Sequence, residues 1–471
     1  MKREKLENAL DHMKPEHIEE AAAPTKKKRK ALPWIGAVAA VLALVLAGQF
    51  MEIPMAVSAE AISLAQADVA PRPEYNDYKD RDQWRIDLDD WVAARDAREA
   101  TAREALTGLE DFFKTSISTF LTGEGNRLYS PINAAIGLAT VTELTAGDTR
   151  QQLLNALGAP DKETLARYFS ALWQTAYQDN GKEICTLATS LWLDNEVKFN
   201  QAVMDTLAGD YYVSVYRQDL QSKKAITAIQ AWLNNNTGDF LKDSVNSVQL
   251  PAEALLALYS TIYFQAKWNE EFNASRNTQD VFHSPAGDTT VTYMNKKMAQ
   301  MNYYWGDSFG AVSLNLKNGS RMWFILPDTD KTVEDVLSEG QYLDMIVRDY
   351  EHPWENVKYM MVNLSVPKFD VQSKQNLKEG LMEMGITDLF QYGAADFSAS
   401  LEEPAFISSA NQAVRVKIDE TGVTAAAYIE LPGAGAAAPP DEIIDFILDR
   451  PFLFLITDSD IPLFAGVVQN P

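Results

Sequence analysis

The sequence predicts an α+β fold, and three observations carry that prediction. Strand-like runs at 186–193, 259–268, 289–294, 311–316, 321–326, 361–369, 413–419, 452–457 and 463–468 are interleaved irregularly with helical stretches, a pattern of α+β rather than of regular βαβ alternation. Apolar residues make up 46% and aromatic residues 10% of a 471-residue chain, ample for a sizeable core. No internal repeat period is visible.

The elements follow in chain order. Residues 1–30 carry a basic run, Lys26-Lys27-Lys28-Arg29-Lys30, and the next charged residue after it is Glu52. The apolar stretch between, 31–51, would extend about 31 Å as a helix, one hydrocarbon thickness. With positive charge on its N-terminal side, it predicts a cytoplasmic segment 1–30, a transmembrane anchor 31–51 and an extracellular remainder. Such a single-pass placement at the cell membrane suits a bacterium without an outer membrane; the alternative is a cleaved signal, with Ala56-Val57-Ser58-Ala59 as cleavage site, and a secreted protein. Residues 52–103 predict a stalk and a charged helical linker.

The main domain is predicted to occupy 104–471. Leu106, Leu109, Phe112, Phe113, Ile117 and Phe120 repeat at helical spacing before Gly123. Ser130-Pro131 predicts a helix start, with the serine as cap and the proline in the first turn. Cys185 is the sole cysteine and lies in an alternating, strand-like run, so it predicts a buried small hydrophobe rather than a reactive thiol or half of a disulfide.

Composition excludes several classes. The net charge is −24, which argues against nucleic-acid binding, where cations must displace counterions from phosphate. The four histidines, His12, His17, His283 and His352, have no Cys/His/Glu neighbours at metal-site spacing, and neither a glycine-rich phosphate loop nor a Gly-x-Ser-x-Gly elbow occurs. No metal, cofactor or catalytic triad is expected.

The C-terminal region is more specific. Glu420-Thr421-Gly422-Val423-Thr424-Ala425-Ala426-Ala427-Tyr428 combines a permissive glycine with small residues that tolerate extension, which suits an exposed segment able to add itself to a sheet. Val423, Ala425, Ala427 and Ile429 would face inward, with Thr424, Ala426, Tyr428 and Glu430 outward. Asp449-Arg450-Pro451-Phe452-Leu453-Phe454 and Pro462-Leu463-Phe464-Ala465-Gly466 follow. Upstream stand Asn126-Arg127-Leu128-Tyr129-Ser130-Pro131, Glu143-Leu144-Thr145-Ala146-Gly147-Asp148-Thr149, Thr261-Ile262-Tyr263-Phe264-Gln265-Ala266-Lys267-Trp268 and Val366-Pro367-Lys368-Phe369. In this order, across about 104–471, these blocks resemble the serpins.

That resemblance implies a large central sheet with further sheets, about nine helices, and an exposed reactive-centre loop. It implies a monomeric protease inhibitor, not an enzyme, working without cofactor by suicide trapping: a protease cleaves the loop, and the loop inserts as a central strand. The hinge would be Glu420, Gly422, Val423, Thr424, Ala425, Ala426 and Ala427. Counting from the hinge glutamate puts the reactive bond at Ala436–Ala437, within 434–440. The small side chains there point to elastase-like or subtilisin-like targets rather than trypsin-like ones. Ser130, Trp268 and Gln412 would support sheet opening, Gln412 standing where the family commonly carries histidine. Pro432 lies in the inserting segment and cannot donate a ladder hydrogen bond, so the alternative is a non-inhibitory binding protein of this fold, or a plain protease substrate.

Overall fold

A computed structural model describes the backbone of residues 62–65 together with residues 73, 78–179, 183–238, 240–251, 254–347, 354–423 and 442–471. Two sheets and a set of helices make up one unit within Val57–Pro471. In the eight-stranded sheet the order is Ile62–Ala65, Val213–Arg217, Ile184–Leu193, Leu256–Lys267, Gly422–Val423, Asn411–Ile418 and Phe369–Asn376, with Gln178–Asp179 attached to the long strand Ile184–Leu193. The nine-stranded sheet runs Ile443–Ile447, Val357–Pro367, Gly287–Trp305, Phe309–Asn315, Arg321–Pro327, Phe452–Asp458, Ile461–Val468 and Arg127–Tyr129, with Thr278–Ser284 paired to Gly287–Trp305. Pairing is mixed, which is the α+β class expected.

The two C-terminal strands explain why the sequence there is an unbroken apolar run. Phe452–Asp458 and Ile461–Val468 are buried at every position, so neither face needs polar residues. Helix Pro131–Leu144 packs on both Ile461–Val468 and Leu256–Lys267. It is buried almost all round, which explains its lack of a polar face. On the opposite face of the eight-stranded sheet, helix Lys223–Thr237 lays Ala225, Ala228, Ile229, Trp232 and Leu233 over Trp192 and Tyr216. Those positions recur at helical spacing, and Trp192 stacks on Tyr216 with centroids 4.6 Å apart.

Several expectations are refined. The helical spacing over 104–121 belongs to two helices, Arg81–Gly108 and Glu110–Leu121, that meet at Leu109. The first runs through the charged segment 81–103, and bonds from Arg167 and Tyr168 to Glu104 tie it to helix Lys162–Ala176. Ser130 occupies the cap position of helix Pro131–Leu144 without capping it through its side chain. Cys185 is fully buried opposite Phe264, and burial pushes its thiol well above the usual range.

The cellular placement is corrected. Among the described residues no helix is long and apolar enough to cross a membrane. The longest, Arg81–Gly108, carries many charged side chains between Arg81 and Glu104, and desolvating them would be costly. The single-pass placement at the cell membrane is therefore withdrawn; segments 1–30 and 31–51, on which it was based, lie outside the described residues.

Candidate functional site

The site is a slot in the eight-stranded sheet. Leu256–Lys267 and Asn411–Ile418 are long strands separated by a two-residue strand, Gly422–Val423. That short strand pairs only with Lys267, Ala266 and Ile418. Among the described residues, the two long strands have no further ladder partner on the sides that face each other. Ile262, Tyr263 and Phe264 line one wall, Ala413 to Lys417 the other, Val423 closes one end, and Ile456 and Phe464 contribute from the second sheet. Two rows of backbone donors and acceptors facing one apolar cleft are the template for an added strand.

The chain turns into the slot at Asp419–Gly422. Asp419 Oδ1 accepts from the backbone N–H of Thr421 at 2.9 Å and of Gly422 at 3.3 Å, a side-chain-stabilised turn. A β-carbon on Gly422 would stand 2.5 Å from the carbonyl oxygen of Ala266 and 2.6 Å from the Cα of Lys267. Only glycine permits that approach. Trp268 is buried beside the turn; its indole N–H donates to the carbonyl of Asp419 at 2.8 Å and its backbone N–H to that of Thr421 at 3.1 Å.

Glu420 fixes the same corner. Its carbonyl accepts from Phe272 N–H at 2.9 Å, and its carboxylate receives Lys368 Nζ and Asn277 Nδ2. Burial works against its charge, but the hydrogen bonds from Lys368 and Asn277 prevail and hold the carboxyl below its ordinary range.

At the far end, Gln412 and Ser130 close on each other. The Gln412 amide donates through Nε2 to the Ser130 carbonyl at 3.0 Å and accepts through Oε1 from the Ser130 N–H at 2.8 Å. The Ser130 hydroxyl, free of capping duty, donates to the Leu463 carbonyl at 2.7 Å. The neighbouring Gln375, directly opposite Gln412, donates to the Leu128 carbonyl at 2.7 Å. Asn133 adds a bond to the Ser260 carbonyl at 3.2 Å. Residues from five strands and from helix Pro131–Leu144 are thus joined by neutral groups alone.

The fold brings Glu420, Gly422, Val423 and Trp268 together at one end of the slot, and Ser130 with Gln412 at the other. Thr424, Ala425, Ala426, Ala427, Ala436 and Ala437 lie outside the described residues. Of the two histidines after residue 103, His283 is exposed and paired with Asp288 at 2.9 Å; His352 lies outside the described residues.

Sequence reasoning missed the strap over the slot. Phe240, just after helix Lys223–Thr237, meets the Tyr263 ring edge-on at 6.5 Å on one side, while the Arg415 guanidinium lies 4.5 Å above its ring on the other. Arg415 in turn forms a two-pronged pair with Asp370, both bonds 2.8 Å. Gln372 and Lys374 reach Ser244 and Ser247 of the same segment at 2.9 and 2.7 Å. The outward position of Arg415 in an alternating strand was the one signal available.

The sequence pattern of the family "Serpin (serine protease inhibitor)" matches residues 111–471. The chain belongs to the serpin family. Alpha-1-antiproteinase F of Cavia porcellus is 28% identical over 374 residues, covering 76% of this chain and 89% of that one. Plasminogen activator inhibitor 1 of Neovison vison is 26% identical, covering 74% and 87%. Among solved structures, the thermophilic serpin tengpin in its native state superposes with a TM-score of 0.69 at 22% identity, over 88% of this chain and all of that one. Serpin48 of the insect Tenebrio molitor gives 0.65 at 22% identity, over 78% and 98%. The serpin fold is shared in full; the serpin match starts at residue 111, so helix Arg81–Gly108 precedes it.

Proposed function

We propose that this serpin inhibits serine proteases by suicide trapping. The observation that carries the reading is the slot, already entered at one end by Gly422–Val423. A protease serine would attack the Ala436 carbonyl, the bond to the Ala437 nitrogen would break, and the amine would leave with a proton, giving an acyl ester on the protease. The hinge residues Thr424 to Ala427 would then follow Val423 into the slot. About 14 residues at ~3.3 Å each would move the tethered protease roughly 46 Å. Its distorted active site would no longer hydrolyse the ester.

The small residues from Gly433 to Ala438 support elastase-like or subtilisin-like targets, since a shallow primary pocket needs no long side chain. Relatives named as an antiproteinase and as a plasminogen activator inhibitor support the class of activity. Pro432 favours a second reading, a cleavable loop that inserts too slowly to trap.

Mixing the full chain with excess pancreatic elastase separates the two. The inhibitor reading expects a band near the summed mass that survives SDS, and a released peptide whose N-terminus falls between Gly435 and Asp441. Cleavage there with no stable band would establish the substrate reading instead.

A further inference from the structure

A second cleft, of about 590 Å³, shares no lining residue with the slot and falls within the size range of small-ligand sites. Helix Lys162–Ala176 packs against both helix Arg81–Gly108 and helix Gln201–Tyr211 and lines the cleft with the small residues Ala166, Ser170 and Ala171. The flanking helices add Thr101 and Thr206, and Glu143 enters from the last turn of helix Pro131–Leu144.

Glu143 is the group that the fold leaves incomplete. Its side chain is 3% exposed; Oε1 accepts from Lys162 Nζ at 2.8 Å, and Oε2 has no hydrogen-bond partner. A half-satisfied carboxylate buried at the negative end of a helix dipole is costly. Arg150, on the next helix, donates to the Thr142 carbonyl at 3.2 Å instead. The buried Tyr211 hydroxyl also lacks a partner, and burial first, then the Glu143 charge, raises its pKa.

The other lining groups define what would complete it. The cations are engaged: Lys162 by Glu143, Arg167 by Glu104 through bonds of 2.8 and 3.1 Å, and Arg98 over the Trp91 ring at 5.9 Å. The Thr101 and Thr206 hydroxyls donate back to the carbonyls of Ala97 and Ala202 at 3.1 and 3.0 Å, which leaves their oxygens as acceptors. Glu163 and Asp210 are exposed at the rim, with Lys162 no nearer than 3.9 Å to Glu163. The cleft thus has a surplus of acceptors, and a protonated amine carries the donors that it lacks. A bare metal ion fits less well, because among the described residues no three His, Cys, Asp or Glu side chains are grouped to hold one.

We propose that this cleft binds a polyamine, an alkyl chain bearing several ammonium groups, with one ammonium on Glu143 and another on the rim carboxylates Glu163 and Asp210. Methylene spacers suit the methyl groups of Ala97, Ala166 and Ala171, and a chain of net charge −24 attracts a polycation. Because the ligand would touch four helices, its binding stabilises the fold by mass action. None of this depends on the inhibitor reading.

Calorimetric titration of the full chain with spermidine at fixed ionic strength tests the site, alongside Glu143→Gln, Asp210→Asn and Ala166→Leu. Wild type should show one site above the weak adsorption expected of any acidic surface. Glu143→Gln, which keeps an acceptor for Lys162, should weaken that site about tenfold, and Asp210→Asn about threefold. Ala166→Leu, which fills the cleft without altering charge, should abolish it. Should Glu143→Gln fail to fold, the exposed change Asp210→Asn and the charge-neutral Ala166→Leu decide. Equal affinity in wild type and variants would reduce the binding to surface adsorption and overturn the site. Absence of spermidine binding, or binding of inorganic phosphate in its place, would overturn it as well.

Discussion

The hinge end of the slot is held by a charge, Glu420 on Lys368, whereas the far end is held by a neutral amide, Gln412 on the backbone of Ser130. Both must give way if a strand is to enter. One end therefore responds to pH and the other does not. A carboxylate held below its ordinary range stabilises the fold above its unfolded pKa, and that contribution is lost as pH falls through the folded value. An amide has no such dependence.

The largest expected effect breaks the hinge end by crowding. Gly422→Ala drives a methyl against the Ala266 carbonyl and should cost about 3 kcal/mol in urea unfolding; a loss below about 0.5 kcal/mol would mean that the close approach is not maintained. Next, Gln412→Leu leaves the buried Ser130 N–H without its partner, while the Ser130 carbonyl keeps the Ala134 N–H. It should cost roughly 1–3 kcal/mol, equally at pH 5 and pH 7.5. A histidine at the same position sharpens the comparison: Gln412→His keeps at most one of the two bonds and should make the far end lose stability below about pH 6.5.

Smaller still, Glu420→Gln should cost about 1 kcal/mol at pH 7, the pair being partly exposed. It should also flatten the acid limb of the stability curve, the wild-type loss setting in below about pH 4.5; an unchanged limb would remove Glu420 from the account. Phe240→Ala, which deletes the cation–π contact with Arg415, should cost about 0.5–1 kcal/mol and speed trapping, read as a higher rate of SDS-stable complex. An unaltered rate would mean that the strap plays no part in insertion.

Much of this architecture is legible in the residues themselves. The apolar runs 452–457 and 463–468 can only be doubly buried strands, and 413–419 alternates as a strand with one covered face. Gly422 reads as a place where the backbone needs freedom, although the close approach to Ala266 that demands it comes from a strand more than 150 residues away. Val213–Arg217 and Ile443–Ile447 are too short to announce themselves. Lys368–Glu420, Phe240–Arg415 and the two hydrogen bonds of Gln412 to Ser130 join distant elements, so no local pattern encodes them. Ser130 shows the same limit: its position predicts a cap, yet the carbonyl of Leu463 takes its hydroxyl.

Suicide trapping requires that the slot accept the cleaved loop as a strand. The thermal midpoint of the full chain before and after trace subtilisin cuts within 432–441, with both fragments retained, tests this most directly. Filling the slot would pair the facing edges of Leu256–Lys267 and Asn411–Ile418, which have no further ladder partner among the described residues, and should raise the midpoint by roughly 10 °C or more. An unchanged or lower midpoint after clean cleavage would contradict insertion.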